Sequence, residues 1–279
     1  MEKAVYHLPG LFEFYDFYRK FLPIYREKTE YFYDWCQIGS LYGAPADCLW
    51  AGGRVSTGNA DPRQVLALAE EYGLSARLTF SNSLLRPEHL KDPKCNRLCA
   101  LFGAEPGNGV IVHSELLLDY LKEKYPNFYF VSSTTKVLTD FEDLAAETER
   151  PDFRYVVPDF RLNKAFDRLA GLKEKRKVEF LCNECCWPGC RERKKCYENV
   201  SRKNLGERCP DHICAAPEGK KGYRFSAAMK NPAFIGIRDI RETYLPMGFS
   251  QFKIEGRGLG SAMLLEFILY YLTKPEYQL

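Results

Sequence analysis

Seven of the eleven cysteines of this chain lie between Cys182 and Cys214. Neighbouring thiolates repel one another unless a soft metal ion or an iron–sulfur cluster neutralises them. Disulfides are the alternative, but they are typical of small secreted domains. Here the cysteine count is odd, and charges interrupt the apolar part of any signal peptide at the N-terminus. We therefore expect a metal centre in a cytoplasmic protein rather than a disulfide framework.

The four predicted metal ligands form two close pairs: Cys186 with Cys190, and Cys209 with Cys214. Three residues separate the first pair, four separate the second, and 18 lie between the pairs. Four thiolates suit either a structural zinc ion or an iron–sulfur cluster, and the spacing alone does not separate them. Cys196 competes for a ligand position. Cys182 ends a predicted strand, so it is expected to face the core unless it replaces one of the four.

Short apolar runs alternate with helical patterns along most of the chain. The runs predict eight strands: Cys48–Ala51, Arg77–Ser81, Gly109–His113, Phe128–Ser132, Arg154–Val157, Val178–Cys182, Phe234–Arg238 and Gln251–Glu255. Eight strand–helix units predict an α/β protein with a (β/α)8 TIM-type barrel, either complete or incomplete and distorted. A doubly wound open sheet is the alternative. We expect one domain over residues 1–279, with an N-terminal helical segment at 1–45.

Helix start signals follow several of these strands. Asp61 precedes Pro62 at a predicted helix N-terminus, and Ser114 is placed to cap another helix. Thr139 and Glu142 have the spacing of a capping box for a third. Aromatic residues are dense from Leu11 to Trp35, which indicates either a helix packed over one end of the barrel or a surface that binds a partner.

The predicted metal-binding loop, residues 182–232, follows the sixth predicted strand. In barrels of this kind, the loops after the strands carry the active site. Four residues near strand ends are therefore the candidate catalytic groups: His113, Glu184, Glu255 and Arg257. Histidine and glutamate are suited to proton transfer, and an arginine can orient a substrate carboxylate. The chain has no G-x-S-x-G, H-E-x-x-H or Walker A motif.

The string GFSQFKIEGRG (Gly248–Gly258) resembles the KIEGR signature of peptidase family U-32, the collagenase-like family. Asp47–Arg54 and Leu78–Asn82 are similar to the first two strands of that family, and Phe234–Ile240 to the seventh. The cysteine-bearing string LCNECCWPGCRERKKCY is similar to the family's loop after strand six. The cysteine spacing matches no single subgroup, and we expect no counterpart of the family's long C-terminal extension.

The resemblance implies a TIM-type barrel, complete or incomplete, with a 4Fe-4S cluster bound by four cysteines. It favours iron–sulfur over zinc, which stays the alternative. Family members with established roles are oxygen-independent hydroxylases of RNA or of the ubiquinone ring. We therefore expect a redox or hydroxylating enzyme. Three alternatives stay open: an RNA-modifying hydroxylase, a zinc- or cluster-stabilised binding protein without catalysis, and a peptidase as the family label suggests.

Charge and hydropathy indicate which class of partner to expect: RNA, a membrane or a small metabolite. Net charge is only +3, but Arg191–Arg208 contains seven Lys or Arg residues against three Glu. This basic segment could attract RNA phosphates, although a solvated loop is the simpler interpretation. No run of 18 uncharged apolar residues exists, so we expect no membrane span. A small aromatic or carboxylate metabolite is the favoured partner.

Overall fold

Eight parallel strands form the centre of the molecule. The structure is a computed structural model, and it describes residues 2–53, 58–216 and 225–278. The strands are β1 (Ala4–Pro9), β2 (Cys36–Gly43), β3 (Ser75–Phe80), β4 (Gly109–Val112), β5 (Tyr129–Ser132), β6 (Phe153–Val156), β7 (Glu179–Leu181) and β8 (Gln251–Lys253). They are buried over most of their length, as is usual for a parallel sheet covered by helices.

The strand order is β6-β5-β4-β3-β2-β1-β8-β7, and every ladder is parallel. Between β6 and β7, the described residues form only an isolated bridge between Val156 and Val178. The barrel is therefore nearly closed, with one seam that backbone pairing does not seal. This confirms the predicted (β/α)8 TIM-type barrel and places its distortion at the seam.

Helices connect consecutive strands. They are α1 (Tyr15–Glu27), α2 (Pro62–Glu71), α3 (Pro93–Phe102), α4 (Glu115–Lys124), α5 (Phe141–Glu149), α6 (Phe166–Leu169), α7 (Arg193–Asn204), α8 (Phe225–Met229), α9 (Ile237–Asp239) and α10 (Ser261–Leu272). No helix within the described ranges is long and apolar enough to cross a membrane.

Six of the eight predicted strands occur, as β3 to β8, and two predictions were wrong. Residues Cys48–Ala51 form a buried turn, in which the Ala51 amide donates to the Cys48 carbonyl. In Phe234–Arg238 the Ile235 amide donates to Cys182, but the chain then turns into α9. The two strands that the sequence did not predict are β1 and β2, which lie in the segment at 1–45. That segment is therefore not only helical: it supplies two barrel strands around α1.

Because two strands precede β3, the cysteine-rich segment follows the seventh strand of the barrel, not the sixth as predicted. It lies between β7 and β8 and contains α7 and α8. Residues 217–224 of the predicted metal-binding loop lie outside the described ranges, as does Arg54 in the string that resembles the family's first strand.

The predicted helix starts agree with the structure at two of three positions. Asp61 accepts hydrogen bonds from two amides of α2, and Ser114 accepts one from α4. The capping box of Thr139 and Glu142 was wrong, since Asp140 caps α5. Asp140 competes directly for the same amides because Asp is among the best capping residues.

The aromatic segment from Leu11 to Trp35 belongs mainly to the core. Tyr18 and Phe21 on α1 are buried there, together with Phe12 and Phe14 just before the helix. The Tyr18 hydroxyl donates to the Pro9 carbonyl at 2.5 Å, which fixes α1 against the end of β1. These rings pack a helix against the barrel, as the simpler interpretation predicts.

Candidate functional site

A cavity of about 180 Å³ opens at the carboxyl ends of the strands. In (β/α)8 enzymes this end of the barrel carries the active site. Its described lining residues come from β2 to β8 and from the segments that follow them: Tyr42, Gly53, Thr79, Ser81, Ile111, Ser133, Thr134, Thr135, Val157, Leu181, Glu184, Cys185, Tyr197, Lys253, Glu255, Gly256, Arg257, Gly258 and Leu259. None of them belongs to the aromatic segment from Leu11 to Trp35, so its rings do not fill the mouth.

A buried ion network lies beneath this cavity. The Glu179 carboxylate receives the Arg77 guanidinium at 2.5 Å and the Lys253 ammonium at 3.1 Å. His7 lies beside Glu179, and burial lowers the pKa of His7 to about 3. Burial also lowers the pKa of Lys253 to about 8, with Arg77 adding to the effect and Glu179 opposing it. The network thus places one carboxylate among two cations and a neutral imidazole.

Glu184, Cys185 and Glu255 meet on one side of the cavity. One donor atom from each lies within 4.8 Å of the other two. The Cys185 thiol contacts Glu255 Oε1 at 3.5 Å, and the Cys185 amide donates to Glu255 Oε2 at 3.2 Å. Two carboxylates beside a thiol can exchange protons with it. This constellation brings together two predicted catalytic residues from separate loops.

Arg257 lies at the same mouth, with its side chain only 9% exposed. Its Nη1 has no hydrogen-bond partner, and the nearest described carboxylate oxygen, Glu13 Oε1, is 4.0 Å away. The hydroxyls of Thr79 and Ser81 also line the cavity, buried and without hydrogen-bond partners. Buried polar atoms are almost always satisfied by protein, water or ligand. Three such atoms line one cavity, where water or a ligand would satisfy them.

His113 lies behind the cavity rather than in its described lining. Its Nδ1 is hydrogen-bonded to Thr135 Oγ1 at 2.9 Å, and Thr135 lines the cavity. Burial lowers the pKa of His113 to about 4, and Lys136 and Lys194 add to the effect. The imidazole is therefore neutral near pH 7, and its contact with the cavity runs through Thr135.

Helix α7 covers the cavity and holds the cysteine-rich segment in place. Arg193 is buried, and it contacts Glu184 at 2.5 Å and Asp159 at 3.4 Å. At the other end of the helix, the Ser201 hydroxyl accepts from the Ser83 amide at 3.1 Å. Tyr197, between them, lines the cavity. The sequence predicted Arg193 as part of a basic surface, but its role is internal.

The four predicted metal ligands flank α7. Cys186, Cys190 and Cys209 are half-buried, and Cys214 is exposed. A tetrahedral zinc site with bonds of about 2.3 Å holds its sulfurs about 3.8 Å apart. Within the described residues, no group of three cysteines lies within 4.8 Å of one another. The side chains of the four predicted ligands therefore do not converge on one point in the part of the chain that the structure describes.

Polar side chains lie close to some of these cysteines. The Asn199 side-chain amide donates to Cys209 Sγ at 3.6 Å. Arg161 donates to the Cys190 carbonyl at 3.0 Å. Its hydrogen bond to Asp159 raises the pKa of Arg161, and Cys186 adds to the effect. By contrast, Cys182 is fully buried in the core, where burial raises the pKa of its thiol well above the usual value.

The fold and the site define a nearly closed (β/α)8 barrel with a charged cavity at the usual catalytic end. No protein-family profile and no curated protein matches the chain. The structure is similar to that of the U32 peptidase Mk0906, with a TM-score of 0.59 at 15% sequence identity. The match covers 92% of this chain and 94% of that protein. The resemblance seen in the sequence is thereby confirmed at the level of the fold.

Lys253, Thr79, Ser81 and Cys185 are among the cavity residues that sequence reasoning missed. The signal that could have found Lys253 is strand alternation, because residues two apart on an extended chain share a face. The argument that paired Glu255 with Arg257 therefore extends back to Lys253. The same alternation relates Thr79 to Ser81. Their lack of partners is a property of the folded barrel alone.

Proposed function

We propose that this chain is an iron–sulfur enzyme that performs redox or hydroxylating chemistry on a small metabolite in the barrel cavity. The observation that carries the proposal is that titratable residues from separate parts of the chain line the same cavity. Glu184, Cys185, Lys253, Glu255 and Arg257 come from different positions in the chain, yet all line one cavity at the carboxyl ends of the strands. Titratable groups concentrated in a cleft are characteristic of catalytic sites.

The lining supports a ligand that is partly apolar and partly anionic. Ile111, Val157 and Leu181 provide apolar walls. Arg257 provides a buried guanidinium whose Nη1 has no hydrogen-bond partner. A guanidinium binds a carboxylate with paired hydrogen bonds. An aromatic or aliphatic metabolite with a carboxylate therefore fits the cavity better than a neutral sugar or a long polymer.

The chain's own residues would hold the ligand and move protons. Arg257 would orient the carboxylate, and Glu184 and Glu255 would exchange a proton with the Cys185 thiol that they contact. Tyr197 and the rest of α7 would exclude water from the mouth. Excluding water strengthens each of these electrostatic contacts.

We propose Cys186, Cys190, Cys209 and Cys214 as the ligands of a 4Fe-4S cluster, with zinc as the alternative. When bound, such a cluster supplies one-electron transfer. The donor set supports this assignment, because three of the thiols are half-buried and two of them lie near Asn199 or Arg161.

Anaerobic purification followed by iron and sulfide analysis tests the proposal. We expect a coloured protein that contains both elements. Cys190→Ala and Cys209→Ala should lose them, whereas the control Cys36→Ala, a buried thiol in β2, should retain them. A colourless protein that holds zinc and no sulfide would overturn the cluster.

A further inference from the structure

We infer that Lys253 is a covalent anchor for the substrate, forming an iminium ion with an aldehyde or ketone that also carries a carboxylate. This inference rests on the proposed function and deepens it by naming a substrate class. No motif in the sequence indicated such a role for Lys253. The argument comes from the position of its amine, from the ions around it and from the unsatisfied donors nearby.

Lys253 is held in a fixed position within the cavity. It is the last residue of β8, it lines the cavity, and its side chain is only 6% exposed. Its ammonium nitrogen lies 3.5 Å from the centre of the Tyr42 ring. Tyr42 is itself fixed, because its hydroxyl donates to the Ile254 carbonyl at 2.6 Å. A lysine amine held this firmly can meet a bound carbonyl group in one orientation.

The ions around Lys253 allow its amine to be neutral. Lys253 shares the single carboxylate of Glu179 with Arg77, whose contact is the shorter one. An arginine stays protonated in proteins. Arg77 therefore neutralises Glu179 by itself, and Lys253 can lose its proton without leaving a buried carboxylate unpaired. The lowered pKa of Lys253, about 8, agrees with this geometry.

The carboxylate part of the ligand follows from three atoms that line the same cavity as Lys253. Arg257 Nη1, Thr79 Oγ1 and Ser81 Oγ line the same cavity, are buried and have no hydrogen-bond partner. The Arg257 guanidinium lies 5.9 Å from the centre of the same Tyr42 ring that Lys253 contacts. One guanidinium and two hydroxyls can together satisfy a carboxylate. The cavity thus offers an amine for a carbonyl carbon and donors for a carboxylate.

The covalent step needs no oxidant or reductant. The neutral Lys253 amine attacks the carbonyl carbon, a carbon–nitrogen bond forms, and the carbonyl oxygen leaves as water. Overall, the lysine ammonium and the carbonyl compound give an iminium ion and water, with one positive charge on each side. Lysines with depressed pKa values perform this step in known Schiff-base enzymes.

Reductive trapping with pyruvate tests the inference on the full chain, purified anaerobically. Pyruvate and sodium cyanoborohydride are added, and the modified lysines are located by peptide mass spectrometry. We expect the label at Lys253 and not at Lys136, another largely buried lysine that lies outside the described cavity lining. Lys253→Arg should abolish the label at this position. Arg257→Met should reduce pyruvate labelling about tenfold but leave labelling by acetone, which has no carboxylate, unchanged.

Labelling of Lys253 no stronger than that of exposed lysines would overturn the inference. So would equal pyruvate labelling of the wild type and Arg257→Met. The peptide map of the labelled wild-type protein tests the inference without any variant. Its result therefore stands even if Lys253→Arg folds poorly. Iron and sulfide are measured on the same preparation. If both are present and Lys253 is unlabelled, only the covalent anchor fails; if both are absent and Lys253 is labelled, only the cluster fails.

Discussion

Among the buried arginines of this protein, Arg257 differs from Arg77 and Arg193 in its counter-ion. Arg77 and Arg193 each contact a carboxylate at 2.5 Å, whereas Arg257 is 4.0 Å from Glu13. Burial raises the pKa of Glu13, and the Arg257 charge only partly opposes that effect. A buried charge without a close partner costs free energy. A carboxylate ligand would remove this cost, which is why the residue is suited to binding.

Replacing Arg257 therefore tests ligand binding directly. Arg257→Met should weaken the binding of phenylacetate, a probe with one ring and one carboxylate, by about 10- to 100-fold, since a charged hydrogen bond contributes about 1.5–3 kcal/mol. Arg257→Lys should recover only part of the affinity, because an ammonium cannot form paired contacts. Isothermal titration calorimetry measures both. Unchanged affinity in Arg257→Met would contradict a carboxylate site.

The neutral state of His113 has a consequence for stability. The folded-state pKa of His113 is lowered to about 4, while an unfolded histidine has a pKa of about 6.5. Between these values the unfolded chain binds more protons, so the free energy of unfolding falls as the pH falls. His7 adds a contribution of the same sign, since its pKa is lowered to about 3.

We expect His113 to account for about 2 kcal/mol of the stability lost between pH 7 and pH 5. His113→Gln removes this titration, so its unfolding free energy should fall less steeply with pH than that of the wild type. Urea denaturation at a series of pH values measures both slopes. Parallel profiles for the two proteins would show that the pKa of His113 does not differ between the folded and the unfolded chain.

At the scale of elements, α7 joins the two strands that lack a backbone ladder. Asp159 follows β6, Glu184 follows β7, and Arg193 on α7 contacts both carboxylates. The seam is thus bridged at its carboxyl end by one side chain. Because Glu184 also accepts from the Cys186 amide at 2.9 Å, the same contact orients the start of the cysteine-rich segment.

Arg193→Met should open the seam at this end. Removing one partner of a buried ion pair costs about 3–5 kcal/mol, because it leaves the carboxylates uncompensated. Hydrogen exchange should become faster in β6, in β7 and in the segment from Cys186 to Cys196. Lys194→Met, an exposed change on the next residue of α7, is the matched control and should leave exchange unchanged. Equal exchange in both variants would contradict the bridging role.

The elements that the sequence predicted and missed differ in residue type. Strands such as Gly109–Val112 and Tyr129–Ser132 are short runs of β-branched and aromatic residues, which are typical of buried parallel strands. The first two strands instead contain His7, Gly39 and Ser40, whose place in the barrel depends on partners from distant strands. His7 hydrogen-bonds Ser40 and Gln251. Contacts of that range cannot be seen in a local pattern.

The residues of the candidate site also divide into those that the sequence predicted and those that it missed. Glu184, Glu255 and Arg257 were predicted because they follow strands, and a barrel brings strand ends together. The role of Arg193 was not predicted, since the basic string around it was interpreted as a solvated loop or a surface that attracts RNA. Burial of one cation within that string depends on Asp159 and Glu184, which belong to other loops.

At the scale of the whole molecule, the basic segment Arg191–Arg208 is less cationic than its sequence indicates. Arg193 is internal, and three exposed cations have acidic partners within ion-pair distance: Lys195 with Glu192, Arg202 with Glu207, and Lys203 with Asp211. Arg191, Lys194 and Arg208 are exposed. Nucleic-acid binding scales with the number of phosphates that such residues neutralise. This surface therefore presents fewer cations to RNA phosphates than the count of seven Lys or Arg residues indicates.

We accordingly expect weak retention of a short single-stranded RNA even at low salt. The charge-reversal variant Lys194→Glu with Arg208→Glu tests the surface without disturbing Arg193, whose replacement would also open the seam. Fluorescence anisotropy across a salt series measures affinity for both proteins. Each phosphate contact adds about 0.7 to the slope of log affinity against log salt for a single strand. A different result would make an RNA the partner of this face: a steep slope in the wild type that falls by about one to two in the variant. Such a fall would mean that Lys194 and Arg208 contact RNA phosphates.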